Sequence, residues 1–509
     1  MSNKSKWFST LTVTTVSLSV FLLSSVLWLI SNFSNLNMTQ IIFHLKVPLE
    51  GSDTSFMTSA IFNIIFPSAG AILFTYFLLR LFKKKNLKYS LLLKFKKRRK
   101  TITIFKLRYS TMVILLNVAA VLIFRYSFKI MDKQFHFKEF ISVQFSDSNF
   151  IEENYVFSAG KLRFPDKKRN LIFLYLESME NTYSSIDEGG AFHENYMPEL
   201  TEIAKSNISF SNNNQLGGNL GGVGTGWTMA SMFAHSTGLP LNIPLEGNSM
   251  GSYSSFFPGA ESLGDVLQSN GYKNYLMIGS EAAFGGRELF FRQHGDYELL
   301  DYNWAKKENK IPSDYRVWWG FEDQKLFSMA KEQLTEISKK EEPFNFTMLT
   351  VDTHHQDGYV CELCENKFSE QYANVIACSS RQVSDFIDWV AKQDFYENTT
   401  VVIVGDHLTM DSDFALDLPE GYSRTLYNAF INVPEDIVPE NTLNRKFNSY
   451  DYYPSTLASL GVTIDGDRLA LGTNLLSSEK TLYEVYGAEM YSELNQKSSF
   501  YDNEFLYPN

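Results

Sequence analysis

Apolar residues follow two different patterns along this 509-residue chain. Near residues 10–30, 56–82 and 110–128 they form almost unbroken runs, each long enough to cross a bilayer as a helix, which takes about 20 consecutive apolar residues. From residue 169 onward they occur in short strand-length runs alternating with helical periodicity. The segments in question are LIFLYLE, PELTEIAKSN, ISFSNNN, TMASMFAHST, ESLGDVLQSNG, YKNYLMIG, FEDQKLFSMAKEQLTEISKK, PFNFTMLTVD, RQVSDFIDWVAKQ and TTVVIVGD. Such alternation predicts an α/β fold in which a parallel sheet is covered by helices on both faces.

Charge follows the same division. Residues 1–130 hold 18 Lys and Arg against 2 acidic residues, net +16, and the remainder holds 28 basic and 55 acidic, net −27, so the formal −11 averages two oppositely charged parts. Twelve of the basic residues fall within 83–108, whereas 31–55 contains only Lys46. The positive-inside rule places the basic loop and the amino terminus in the cytoplasm, and residues 31–55 and everything after about 130 outside the plasma (inner) membrane. Anionic lipid head groups, not nucleic acid, are the expected partners of that loop. The first run exceeds a signal-peptide core, with no small-residue cleavage site before Asn32, so it reads as a retained anchor. The expected organisation is a three-span anchor at 1–130, a connector at 131–168 with neither a long apolar run nor clean periodicity, and an exported acidic domain beyond.

Cys361, Cys364 and Cys378 all lie in the exported part, where an oxidising compartment permits one disulfide. A C-x-x-C pair with a third Cys fourteen residues on also suggests zinc, but no His follows at finger spacing. One loop-stapling disulfide and one spare thiol are expected, with the pairing left open.

Candidate chemistry gathers at strand ends. Residues 401–407 read Val-Val-Ile-Val-Gly-Asp-His, a buried strand that delivers Asp406 and His407 to its carboxyl end, where open α/β sheets bind ligands and such a pair suits a metal. Leu171–Leu176 ends in the same way on Glu177, which alone would read as an acid capping the next turn. Between 215 and 239, six glycines within ten positions give way to a helix-prone stretch. Thr228 stands at that junction, near a helix's positive end and several free amides, a place that suits a phosphoryl group. Taken singly Thr228 would be an N-cap, with Thr225 a rival for either role. The loop lacks the Lys-Ser/Thr ending of a nucleotide-binding P-loop. A divalent cation held by Glu177, Asp406 and His407 would depress the pKa of the Thr228 hydroxyl and make it a nucleophile towards a phosphodiester. His354 and His355, after PFNFTMLTVD, are further ligands or phosphate-binding hydrogen-bond donors. Arg287 is a candidate phosphate clamp, although a loop Arg is ordinarily a solvated surface charge.

FLYLESMENTY, MPELTEIAKSNISF, GTGWTMASMFAHSTGLPL, TVDTHHQDGY, IVGDH and SYDYYPSTLASLGVTIDGDRLALGTNLLS resemble the sulfatase-like branch of the alkaline phosphatase superfamily. Within it they most resemble the bacterial phosphoglycerol transferases that modify periplasmic glucans and, more distantly, lipoteichoic acid synthase. The resemblance covers about residues 168–480, which makes 169–480 the expected catalytic domain and 481–509 a C-terminal tail. It implies an alkaline-phosphatase-like α/β fold with a mixed, mostly parallel sheet. It also implies a manganese-type ion, with magnesium or zinc as alternatives, bound by Glu177, Thr228, Asp406 and His407, with Thr228 as nucleophile and His354 on the substrate phosphate. The implied donor is phosphatidylglycerol, which would lose diacylglycerol and pass sn-glycerol-1-phosphate to a periplasmic glucan or another glycan or polyol. The chain departs from the lipoteichoic synthases two residues before Arg287, where their tryptophan is replaced by Gly285, so glycerol recognition there must differ. Two other enzyme readings share the constellation, a phosphoethanolamine transferase and a sulfatase-type hydrolase. The hydrolase reading lacks its C/S-x-P-x-R signature here. A catalytically silent membrane-tethered binding protein is the third alternative, against which the complete set of four ligand-type residues argues.

Overall fold

Three helices, Lys6–Asn32, Met57–Lys83 and Tyr109–Phe135, are long and apolar enough to cross a membrane, close to the three expected runs. The structure, a computed structural model, describes residues 3–33, 36–46, 54–84, 87–95, 98–143, 145–243, 255–411, 414, 418–419 and 421–508. The first helices are α1 (Asn3–Asn32), α2 (Met38–Lys46), α3 (Thr54–Ala60), α4 (Phe66–Lys84) and α5 (Tyr109–Phe135). The described residues divide into two compact units, one drawn from Met1–Leu36 and Asp53–Lys138, the other from Asn37–Ser52 and Glu139–Asn509. Helix α2, whose sequence lies between the first two apolar runs, therefore belongs with the second unit.

In the first unit α1 packs against α4 and α5. Polar groups turn inward: Asn117 Nδ2 donates to Thr12 Oγ1 and its Oδ1 accepts from Thr15 Oγ1, both at 2.9 Å. Leu73, Phe74, Ile114 and Leu122 face outward. Apolar outside and hydrogen-bonded inside is the arrangement expected where lipid is the solvent. The basic segment read from sequence as a loop is instead a two-stranded antiparallel hairpin, β1 (Leu87–Phe95) and β2 (Arg98–Leu107). The alternation Thr101-Ile102-Thr103-Ile104-Phe105 has the period and β-branched content of a strand, a signal that the charge count obscured.

The strands of the second unit are β3 (Leu162–Arg163), β4 (Asn170–Leu176), β5 (Lys273–Ile278), β6 (Glu298–Leu300), β7 (Phe344–Leu349), β8 (Thr399–Gly405), β9 (Asn428–Ile431) and β10 (Thr463–Ile464). Six of them form one sheet in the order β6-β5-β7-β4-β8-β9, parallel except for β9 against β8, so the sheet is mixed and mostly parallel as expected. The helices include α6 (Phe137–Val143), α7 (Phe150–Asn154), α8 (Pro198–Ser206), α9 (Thr228–Thr237), α10 (Leu263–Ser269), α11 (Arg287–Gln293), α12 (Tyr302–Lys307), α13 (Asp323–Ile337), α14 (Gln371–Val390) and α15 (Tyr452–Ser459).

β4 shows why helices cover both faces. Ile172, Leu174 and Leu176 join a core with Leu200 of α8, Leu326 and Leu334 of α13, and Ile376 and Phe386 of α14. The alternate residues point the other way, where Tyr175 stacks on His235 of α9 and Phe430 of β9 stacks on Tyr452 of α15. A strand buried on both faces reads as a continuous apolar run, which is how β4 and β8 read in the sequence.

Register then positions the chemistry. β4 and β8 pair in parallel with Leu176 opposite Gly405, so the next residues, Glu177 and Asp406, emerge side by side at the carboxyl edge. The third central strand, β7, ends alongside Tyr175 and delivers Thr350 and the following loop to the same edge.

ISFSNNN, expected to be strand-like, is not a strand: only Ile208 pairs, as an isolated bridge to Phe430. The asparagines that follow bind local backbone instead, Asn213 Oδ1 accepting from Gln215 N at 2.7 Å and Asn212 Oδ1 from Gly218 N at 3.2 Å. Cys364 and Cys378 form the disulfide and Cys361 keeps a free, buried thiol.

Candidate active site

The carboxyl ends of β4 and β8 bring Glu177, Asp406 and His407 together, with ligand-type atoms all within 4.8 Å of one another and all three side chains buried. Each is held by named bonds. Asp406 Oδ1 accepts from Ser178 N and His407 N, both at 2.7 Å, and Glu177 Oε1 accepts from Ser178 Oγ at 2.8 Å. His407 Nδ1 faces the Leu408 carbonyl at 2.9 Å, which fixes Nδ1–H as donor and turns Nε2 towards the two acids. Nε2 lies 3.3 Å from Glu177 Oε1 and 3.5 Å from Asp406 Oδ2.

Two buried carboxylates share one imidazole, so with both acids ionised the cluster would carry surplus negative charge unless a proton or a cation offset it. Burial, then the charge of Glu177, pushes Asp406 up to about 8. Burial would lower His407, but Asp406 and Glu177 draw it up to about 10. Burial also acts to raise Glu177, yet the attraction of His407 holds it well below the usual carboxylate range. Asp406 Oδ2 is buried and has no hydrogen-bond partner among the described residues. An orphaned carboxylate oxygen, a second acid and an oriented imidazole fit a divalent cation, which would balance the charge.

Thr228 meets this cluster from the glycine loop. Its Oγ1 donates to Glu177 Oε2 at 3.2 Å and lies 3.3 Å from His407 Nε2. Its hydroxyl is not an N-cap: Trp227 occupies that place in extended backbone, and Thr228 is the first residue of α9. The rival Thr225 is spent within the loop, donating to the Gly222 carbonyl at 2.9 Å. Gly224 is required there, because at its φ of +63° a Cβ would stand 2.7 Å from the Leu241 carbonyl oxygen. The sharp turn lets α9 present its first residue, and its unpaired amides, to the end of the sheet.

His354 closes another side. Its Nδ1 lies 2.7 Å from the His355 carbonyl, its ring packs on Trp319 at 4.8 Å, and burial lowers its pKa, opposed in part by the charge of Glu177. His355 is more deeply buried and stacks on His354 at 4.5 Å. Arg287, read from sequence as a loop residue ordinarily in solvent, is buried at the first position of α11. Its Nη2 donates to Ser280 Oγ and to the Glu281 carbonyl, both at 3.1 Å, while Nε lacks a partner among the described residues. Burial lowers it to about 10 against the charges of Glu177, Asp301 and Asp406, so it stays a cation directed at the cluster.

Sequence reasoning missed the groups that orient these side chains. Thr350 Oγ1 accepts from Glu177 N at 3.0 Å, Thr353 Oγ1 donates to the Glu177 carbonyl at 2.5 Å, and Ser231 Oγ donates to the Asp406 carbonyl. Hydroxyls just beyond strand ends, in LES and LTVDT, were the available signal. Glu180, fully buried, accepts from Thr409 N at 2.7 Å and from Arg424 Nε at 2.8 Å, and so pins the segment after His407. Removing one member of a buried ion pair strands the other charge at a cost of about 3–5 kcal/mol. Glu180→Ala is therefore expected to destabilise the protein by that amount and Glu180→Gln by less, read as the loss in thermal midpoint of the detergent-solubilised protein.

Residues 169–462 match the sulfatase family model. Over 329 residues the chain is 34% identical to phosphoglycerol transferase I of Salmonella choleraesuis, covering 63% of this chain and 41% of that protein. Over 332 residues it is 33% identical to phosphoglycerol transferase I of Escherichia coli (strain 55989), with the same coverage. This chain thus spans about two fifths of the length of the curated relatives it matches. Among solved structures it is similar to the lipoteichoic acid synthase LtaP from Listeria monocytogenes, at 19% identity and a TM-score of 0.47, over 64% of this chain and 80% of that one.

Proposed function

Because the chain belongs to the sulfatase family, we propose that it is a membrane-anchored, metal-dependent phosphoglycerol transferase. It would take sn-glycerol-1-phosphate from phosphatidylglycerol and pass it to an extracytoplasmic glycan or polyol. The observation that carries the reading is the Thr228 hydroxyl, hydrogen-bonded to one of two buried acids and 3.3 Å from an imidazole, at the start of a helix.

Glu177, Asp406, His407 and Thr228 would hold a manganese-type cation, which would supply Lewis acidity to lower the pKa of the Thr228 hydroxyl and offset phosphate charge. The chain's own residues do the rest. Thr228 Oγ attacks phosphorus, the P–O bond to diacylglycerol breaks, and diacylglycerol leaves with a proton. An acceptor hydroxyl then attacks the phosphothreonine, the P–Oγ bond breaks and Thr228 is restored. Asp406 and His407 act through the cation site and exchange no proton with substrate. His354 and Arg287 hold the non-bridging oxygens, and α9 adds the positive end of its dipole. The three apolar helices would keep the domain at the surface where a lipid phosphodiester lies. The orientation that fits is a cytoplasmic amino terminus and basic hairpin, with the second unit on the periplasmic or extracellular side.

The names of the curated relatives and the absence of the C/S-x-P-x-R signature favour transfer over sulfate-ester hydrolysis. Purified full-length protein, with manganese and labelled lipids, is expected to release diacylglycerol from phosphatidylglycerol at least about tenfold faster than from phosphatidylethanolamine, roughly the discrimination one well-made polar contact supplies. Release from phosphatidylethanolamine alone would make the protein a phosphoethanolamine transferase.

A further inference from the structure

Helix α2 has no part in the constellation described so far, yet it packs against it. Asn37 caps the helix, its Oδ1 accepting from Gln40 N at 2.8 Å, and Gln40, Ile42 and Phe43 are buried. The Phe43 ring lies 5.2 Å from that of Trp227, the residue immediately before Thr228. His44 stacks on Phe284 at 6.5 Å, Phe284 packs on Trp319 at 5.4 Å, and Trp319 on His354 at 4.8 Å. An unbroken line of rings therefore runs from α2 to the histidine beside the acids. Gln40 Nε2 reaches Met410 Sδ at 3.6 Å, three residues beyond His407.

Two polar atoms in this region stand out. Gln40 Oε1, an acceptor, and Trp227 Nε1, a donor, are both buried without a hydrogen-bond partner among the described residues. Unpaired buried polar atoms are rare because each forfeits its bond to water at about 1–3 kcal/mol. A hydroxyl group can both donate and accept, so polyol hydroxyls suit atoms of either kind. Aromatic faces suit the C–H surface of a polyol. They would also attract an ammonium, but the Arg287 guanidinium sits 5.5 Å from the Phe284 ring centre and opposes a second cation there. Burial lowers His44 to about 4, so its imidazole adds no charge at neutral pH.

We propose that α2 is a wall of the substrate pocket and that Gln40 and His44 are positioning residues for a neutral polyol head group. The assignment rests on the phosphoglycerol transfer reading and deepens it. Glycerol recognition would then be supplied by a segment encoded between the first two apolar helices, about 170 residues before the nucleophile's loop.

The test uses full-length protein with manganese and two probes, sn-glycerol 1-phosphate and inorganic phosphate. Gln40→Ala and His44→Ala are each expected to weaken glycerol phosphate binding about tenfold, the worth of one hydrogen bond or ring contact, and to change phosphate binding less than about twofold. Both should raise KM for phosphatidylglycerol by a similar factor with kcat nearly constant, and His44→Gln should recover part of the loss. Equal weakening of both probes would mean a merely structural helix and overturn the assignment. So would unchanged binding, or a wild type that does not prefer glycerol phosphate. If wild type releases no diacylglycerol yet keeps a glycerol phosphate preference that depends on Gln40 and His44, the donor reading falls and the pocket assignment stands.

Discussion

Thr228→Ala is expected to reduce diacylglycerol release from phosphatidylglycerol by at least about 10⁴-fold, the scale on which removing a covalent nucleophile acts. The change deletes the one oxygen that lies 3.2 Å from Glu177 Oε2 and 3.3 Å from His407 Nε2. It should leave the fold standing, because the cap position belongs to Trp227 and alanine is well suited to a helix's first turn. Thr228→Ser keeps an oxygen but loses the methyl that restricts its rotamer, so it should retain partial activity. Withholding acceptor from the wild type should leave a phosphoglycerol adduct on Thr228, detectable as a mass increase on the peptide spanning 228. Equal release by wild type and the alanine variant would remove Thr228 from the mechanism.

Chelation is expected to bring activity to background reversibly, and Asp406→Asn or His407→Ala to do so permanently. A readout independent of turnover is stability. A ligand that binds only the folded state stabilises it by about 2.7 kcal/mol at a hundred times its Kd. Manganese should therefore raise the thermal midpoint of the wild type and leave those of Asp406→Asn and His407→Ala unmoved. The sign of the pH dependence follows from the cluster's proton affinity. Asp406 raised to about 8 and His407 raised to about 10 both hold protons that a cation must displace. Apparent affinity should therefore climb as pH rises through that range and fall as it drops. A midpoint insensitive to manganese at every pH would sink the cation site.

Much of this site could be read from the chain because its parts sit at the ends of apolar runs. LIFLYLE and TTVVIVGD advertise buried strands, and a sheet rule places whatever follows them in one crevice. Glu177, Asp406 and His407 were found that way, and the glycine cluster marked Thr228. What sequence could not supply was orientation and long-range partnership. Arg287 could be named as a candidate phosphate clamp but not told from a solvated surface charge, because nothing local shows that Ser280 and the Glu281 carbonyl receive it. Thr350, Thr353 and Ser231 are ordinary hydroxyls until the fold turns them towards the backbone of Glu177 and Asp406. The hairpin at 87–107 was hidden by its own lysines, and ISFSNNN was miscast because its asparagines satisfy the backbone locally. Helix α2 was the largest omission, since a short amphipathic segment between two long apolar runs carries no periodic signal of its own destination.

The parallel register of β4 on β8 has a kinetic side. Ser178 N bonds Asp406 Oδ1 across 228 positions of chain, so these two halves of the cluster meet only after the chain has been synthesised past β8. Contacts of such separation form late, because the entropy of closing the loop is lost before any pairing rewards it. Cation affinity should therefore report the completed topology and not a local motif. A nascent chain ending before β8 would have the glycine loop and Glu177, but neither Asp406 nor His407. The cluster stays incomplete until its last central strand is in place.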